Sequence, residues 1–182
     1  MTPERLQRIL EGALMAAQRP LSVEELERLF EGDASRPERA SIREALREIA
    51  ESCQERGYHL KEVGSGYRFQ VDEELAPWVS RLWEEKPPRY SRALLETLAL
   101  IAYRQPITRA EIEEVRGVAV SSHIIRTLTE REWIRVVGHK ELPGRPALFG
   151  TTRGFLDYFN LKSLDELPTL AELRDLDQPA GE

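Results

Sequence analysis

Leu14-Met15-Ala16-Ala17-Gln18-Arg19-Pro20-Leu21-Ser22-Val23-Glu24-Glu25-Leu26 aligns without gaps on Leu100-Ile101-Ala102-Tyr103-Arg104-Gln105-Pro106-Ile107-Thr108-Arg109-Ala110-Glu111-Ile112, an offset of 86 residues (26 to 112). In each copy an apolar helix runs into a proline, which cannot continue the ladder. An apolar residue, a hydroxyl residue and, three positions on, a glutamate follow. Ser22 with Glu25 and Thr108 with Glu111 have the spacing of capping boxes, and Leu21/Leu26 and Ile107/Ile112 occupy the hydrophobic-staple positions. Two such matches in one register point to a structural duplication.

The first copy reads as three helices and a ribbon. Thr2 caps a helix with Pro3 at its first position, and Leu6, Ile9, Leu10, Ala13, Leu14 and Ala17 form its apolar stripe. A short helix covers about Val23 to Phe30. Ser35 with Glu38 offers a further capping box, opening a third helix with Ile42, Ala45, Leu46, Ile49 and Cys53 inward and Gly57 at its end. Tyr58 to Val63 and Tyr67 to Val71 read as strands about a Gly64-Ser65-Gly66 turn, with Tyr67, Phe69 and Val71 on one face. Pro77 to Trp83 reads as a short helix covering this wing.

The second copy repeats the order. A helix spans Ser91 to Tyr103, a short one about Arg109 to Val115, Gly117 turns the chain, and Ser121 or Ser122 caps a third helix. A strand from Ile134 to Val137, a loop from Gly138 to Pro146 and a strand from Ala147 to Thr151 form the second wing. Thr152 caps a last helix with Phe155, Leu156 and Phe159 inward. The expected fold is mostly α with small β wings: two tandem winged helix-turn-helix domains, 1–86 and 87–168. Glu84 to Arg89, charged and doubly proline, reads as the linker, and 169–182 as an acidic flexible tail.

The 182 residues carry 26 Lys+Arg and 32 Asp+Glu, a net charge of −6, with 41% apolar residues, a soluble globular balance. No apolar run approaches the ~18 residues of a membrane span, and the charged start does not read as a secretory leader. One cysteine excludes an internal disulfide and a cysteine-rich zinc site. Cys53, at an inward phase, reads as a buried thiol. Gly64-x-Gly66 and Pro143-Gly144-Arg145-Pro146 lack the rest of a phosphate loop. His59, His123 and His139 have no metal-ligand spacing. Ser121-Ser122-His123 cannot form a triad, because helix neighbours diverge by about 100°. No cofactor, metal or catalytic residue is expected.

What remains is binding. The helix in the first recognition position sets Arg39, Arg43 and Arg47 against Glu38, Glu44 and Glu48. Residues 1–86 hold 13 basic and 18 acidic groups, so this half repels a duplex, whose affinity comes largely from phosphate neutralisation. Pro87 to Arg153 holds 11 basic and 7 acidic groups. Arg116, His123, Arg126, Lys140, Arg145 and Arg153 there offer a modest positive face, suited to an acidic protein partner and only weakly to DNA.

Four stretches of the second half are similar to a known family. Ala102 to Val118 resembles the hallmark run of ScpB, the segregation and condensation protein B family. So does Leu142-Pro143-Gly144-Arg145-Pro146-Ala147-Leu148-Phe149-Gly150-Thr151-Thr152, with Phe155 to Phe159 and Ser163 to Pro168 after it. The resemblance implies a homodimer of tandem winged-helix proteins. It implies a cytoplasmic, nucleoid-associated subunit that binds the kleisin ScpA and, through it, the SMC ATPase, with no ATPase of its own and no membrane. DNA contact is then indirect or weak. The expected partner-binding residues are Tyr103, Arg104, Arg116, Gly117, Arg126, Arg145 and Pro146. Each also has a structural reading: Gly117 as the turn of the helix-turn-helix, Tyr103 as core, Arg145 and Pro146 as wing shape. The rival function is a winged-helix transcriptional regulator.

Overall fold

The computed structural model describes residues 1–83 and 88–169. Three helices open the chain: α1 (Pro3–Ala17), α2 (Val23–Arg28) and α3 (Arg39–Ser52). An antiparallel ribbon of β1 (Tyr58–Val63) and β2 (Gly66–Val71) follows, with Val63 opposite Gly66, so Gly64 and Ser65 form the turn. A 3-10 turn, α4 (Ala76–Val79) and a second 3-10 turn lead to residue 82. The second half runs α5 (Arg92–Arg104), β3 (Ile107–Thr108), α6 (Arg109–Arg116), α7 (Ser122–Glu130), β4 (Ile134–His139), β5 (Ala147–Thr151) and α8 (Arg153–Tyr158). The order helix, helix, helix, ribbon therefore occurs twice, as a winged helix requires.

Both capping boxes form. Ser22 Oγ accepts the Glu25 amide while the Glu25 carboxylate accepts the Ser22 amide, and Thr108 and Glu111 do the same. The staple residues Leu21, Leu26, Ile107 and Ile112 are all buried. The duplication extends to a pairing that periodicity does not signal. Leu21 forms an antiparallel bridge with Tyr67 of β2, and Ile107 of β3 pairs with Phe149 of β5, giving the sheet order β3-β5-β4. In each half, the residue just before the capping box is stitched to the second strand of the wing.

Two buried clusters result. One gathers Leu6, Leu10, Leu14, Leu26, Phe30, Ile42, Leu46 and Ile49 from α1 to α3. The other gathers Leu98, Ile101, Ile112, Val120, Leu128, Trp133, Ile134 and Phe155. At roughly 1.5–3 kcal/mol per large buried apolar side chain, these clusters outweigh the surface ion pairs.

Several expectations need correction. Ser35 and Glu38 form no capping box: Glu38 holds extended backbone after Pro37, and α3 starts at Arg39 without a side-chain cap. Gly57 does not end α3, which closes at a right-handed Cys53. A Cβ at Gly57 would lie 2.9 Å from the terminal Cδ1 of Leu75. The segment after the first wing leaves Trp78, Leu82 and Trp83 exposed, so it covers little. Phe159, expected inward, is also exposed. β4 continues to His139, past a register shift between Val136 and Gly138. The linker residues 84–87 and tail residues 170–182 lie outside the described residues.

Candidate protein-binding site

The second half sets its expected site residues on four supports: the ends of α5 and α6, α7, and the loop of the second wing. Tyr103 and Arg104 close α5, and both are exposed. The Tyr103 hydroxyl donates to the Pro168 carbonyl at 2.6 Å, fastening the chain beyond α8 to the end of α5. Arg116 and Gly117 close α6. Gly117 has φ of +68° and its amide bonds Glu113, a left-handed cap of the kind glycine supplies at little cost. The Arg116 side chain is only 10% exposed; its guanidinium meets Glu96 at 3.2 Å, and its Nε has no hydrogen-bond partner among the described residues. Glu96 also takes Arg92, and these two guanidiniums hold its carboxyl below the usual range, Arg92 foremost.

Arg126, on α7, is exposed and pairs with Glu130 at 2.7 Å. Arg145 and Pro146 stand in the loop of the second wing. Arg145 has φ of +41° and pairs with Glu141 at 3.2 Å, while the Pro146 carbonyl accepts the Lys140 amide. The structure thus puts Tyr103 and Arg104 together, and Arg145 and Pro146 together. It turns Arg116 inward, toward α5.

Three groups that hold this region escaped the expected set. Arg109 binds Glu113, the Ser122 hydroxyl and the Val120 carbonyl, while Glu113 accepts the Val120 amide, locking the turn between α6 and α7. The i,i+4 spacing of Arg109 and Glu113 was the available signal. Lys140 reaches from the wing to Glu111 at 2.6 Å. With the Thr108 amide and hydroxyl, it depresses the Glu111 carboxyl to about 2. The Gln105 amide spans α5 and β5, bonding the Ala102 carbonyl and the Thr151 amide and hydroxyl. Neither of these last two links has a local sequence signal.

The electrostatics favour protein over nucleic acid. In α3, Arg39 is held by Glu27 and Arg47 by Glu44, so the first recognition position offers few spare cations. In α7, Arg126 is likewise spent on Glu130. Meanwhile Val115 and Val118 near the end of α6, and Val136, Val137 and Leu142 on the wing, stand 45–55% exposed. Uncovered aliphatic side chains of this kind suit a polypeptide surface better than a phosphate backbone. Among the described residues no group of acids, histidines and cysteine is placed to hold a metal ion, and no helix is long and apolar enough to cross a membrane.

Comparison with known proteins adds three likenesses and a family. The model of the segregation and condensation complex subunit ScpB matches residues 8–170. A segregation and condensation protein B homolog of Coxiella burnetii is 60% identical over 93% of this chain and 81% of its own length. A crystal structure of ScpB from Mycobacterium tuberculosis is 32% identical, covering 88% of this chain and 98% of that one, at a TM-score of 0.41. A dimer of an ScpB N-terminal domain complexed with ScpA peptide is 24% identical, covering 44% of this chain and 96% of that one, at a TM-score of 0.39.

Proposed function

This chain belongs to the segregation and condensation complex subunit ScpB family, and from that premise we propose that it is a non-enzymatic accessory subunit of a bacterial SMC–kleisin complex. It binds ScpA and supports chromosome condensation and segregation. Residues 1–86 dimerise, and residues 87–168 hold the kleisin, through which the SMC ATPase is reached. The protein works in the cytoplasm at the nucleoid, carries no cofactor and touches DNA weakly or indirectly.

The observation supporting a polypeptide ligand for the second half is the set of uncovered aliphatics on α6 and the second wing, flanked in sequence by Arg104 and Arg145. An apolar centre with arginines beside it is the usual make-up of a protein hot spot. Tyr103 adds an amphipathic ring, Gly117 permits close approach, and Pro146 stiffens the wing. Arg126 contributes a charge at the edge, and Arg116 shapes the α5–α6 contact from within.

The test is calorimetric titration with a purified ScpA-type kleisin. Val136→Asp with Leu142→Asp should weaken binding at least tenfold, or about 1.4 kcal/mol, with the melting temperature unchanged because both side chains are exposed. Arg145→Glu should slow association more than it speeds dissociation. Undiminished affinity in the double variant would move the site off the wing. Sequence-selective DNA shifts by the protein alone at physiological salt would favour the transcriptional regulator.

A further inference from the structure

The tip of the second wing stands away from the body that carries it. Residues 141–145 are all exposed, and a Cβ on Gly144 would meet nothing within 4 Å. The backbone bonds of the tip stay inside it: the Lys140 amide donates to the Pro146 carbonyl, the Leu142 amide to Lys140 and the Arg145 amide to Leu142. The Arg145 side chain also turns back, to Glu141. Among the described residues, one hydrogen bond leaves the segment 140–146: the Lys140 ammonium donates to the Glu111 carboxylate of α6 at 2.6 Å. A hairpin tip with no buried contacts swings on its strands unless something outside it holds it, so this pair sets where the tip lies.

Glu111 is itself fixed. Its carboxylate accepts the Thr108 amide and hydroxyl in the capping box that opens α6, so Lys140 is bound to the helix and not to a free side chain. Glu111 and Val115 stand four residues apart on α6 and share a face. Beyond them, Arg109 and Glu113 hold the Val120 end of the turn that carries Val118. Val115 and Val118 therefore have a set place, and the wing tip bearing Leu142 is the part free to move against them. We propose that Lys140 is a positioning residue: its pair with Glu111 holds the wing tip to α6, so that Leu142 and the α6 valines meet a polypeptide as one preformed surface. This rests on the reading that the surface takes a kleisin, and adds what keeps the surface in shape. Lys140 and Glu111 are 42% and 38% exposed, and a pair so placed contributes little to global stability. Its effect is local. An untied tip is in place only part of the time, and the apparent affinity falls by that fraction.

The test compares two variants of the full-length protein. Lys140→Met keeps the aliphatic stem and loses the charge; Lys140→Arg keeps a cation for Glu111. In Lys140→Met, NMR relaxation should show the amide order parameters of Glu141, Leu142 and Arg145 falling from about 0.85 to below about 0.6. Calorimetric titration with a purified ScpA-type kleisin should show binding weakened at least about threefold, with the melting temperature lowered by no more than a few degrees. Lys140→Arg should restore both the order and the affinity, which a merely structural loss would not do. An ordered tip in Lys140→Met, parental affinity in that variant, or a Lys140→Arg protein that behaves like Lys140→Met overturns the proposal. Failure of the parent protein itself to bind overturns the reading of the surface, and the proposal with it.

Discussion

Gly66 and Gly12 show what a single hydrogen atom in place of a side chain can do. Gly66 has φ of +142°, and a Cβ on it would lie 2.2 Å from the Leu21 carbonyl oxygen. That clash is with backbone, because the Leu21–Tyr67 bridge draws the two chains together at this point. Gly66→Ala should therefore destabilise the protein by about 3 kcal/mol or more, with loss of β1–β2 amide protection in hydrogen exchange. Gly12 is exposed within α1, and a Cβ on it would meet nothing within 4 Å, so Gly12→Ala should add about 0.5–1 kcal/mol. Thermal melts of the two variants check both signs. The sequence marks Gly66 only as a turn residue. Its closeness to Leu21 arises between segments more than forty positions apart and leaves no local trace.

At the scale of elements, the two capping boxes tie helix starts to charge. The Ser22 amide leads in depressing Glu25 to about 2, with Arg19 next; Lys140 leads in depressing Glu111 to about 2, with Thr108 next. A carboxyl whose folded pKa is depressed stabilises the fold above its ordinary value of 4.5 and loses that contribution as pH falls toward the folded value. The melting temperature should therefore drop between pH about 4.5 and 2. Glu25→Gln with Glu111→Gln should flatten that drop while lowering stability at neutral pH. Parallel pH profiles in the parent and the double variant would contradict the assignment. The boxes themselves were legible, because a hydroxyl and a glutamate three apart suffice to specify them. The supposed box at Ser35 shows the limit of that signal: the same spacing fails when Pro37 intervenes and Glu38 stays extended. The short strand β3 was illegible, since two residues carry no period; its existence follows from pairing with β5.

At the scale of the molecule, the two halves meet through the first wing and α8. The Ser65 amide donates to Asp157 at 2.8 Å, Arg68 reaches the Asp157 carbonyl and Asn160, and Lys162 pairs with Glu62 at 2.8 Å. Gly64 lies against Leu156, where a Cβ would be 2.7 Å from the leucine Cβ. The doubled helix-and-ribbon order was readable from one repeated motif, because repetition is a sequence property. This meeting was not, because it joins residues about ninety positions apart with no shared pattern. The candidate site was partly legible: Tyr103, Arg104 and Arg145 are exposed as expected, whereas the inward turn of Arg116 depends on Glu96, twenty positions away on another helix.

The central claim, that this protein grips another polypeptide, is tested most directly by size-exclusion chromatography with light scattering on the protein, a purified ScpA-type kleisin and their mixture at physiological salt. The account predicts that the protein alone runs as a dimer and that the mixture gives one new peak whose mass equals a dimer plus bound kleisin. Separate elution of unchanged protein and unchanged kleisin at micromolar concentrations would contradict it.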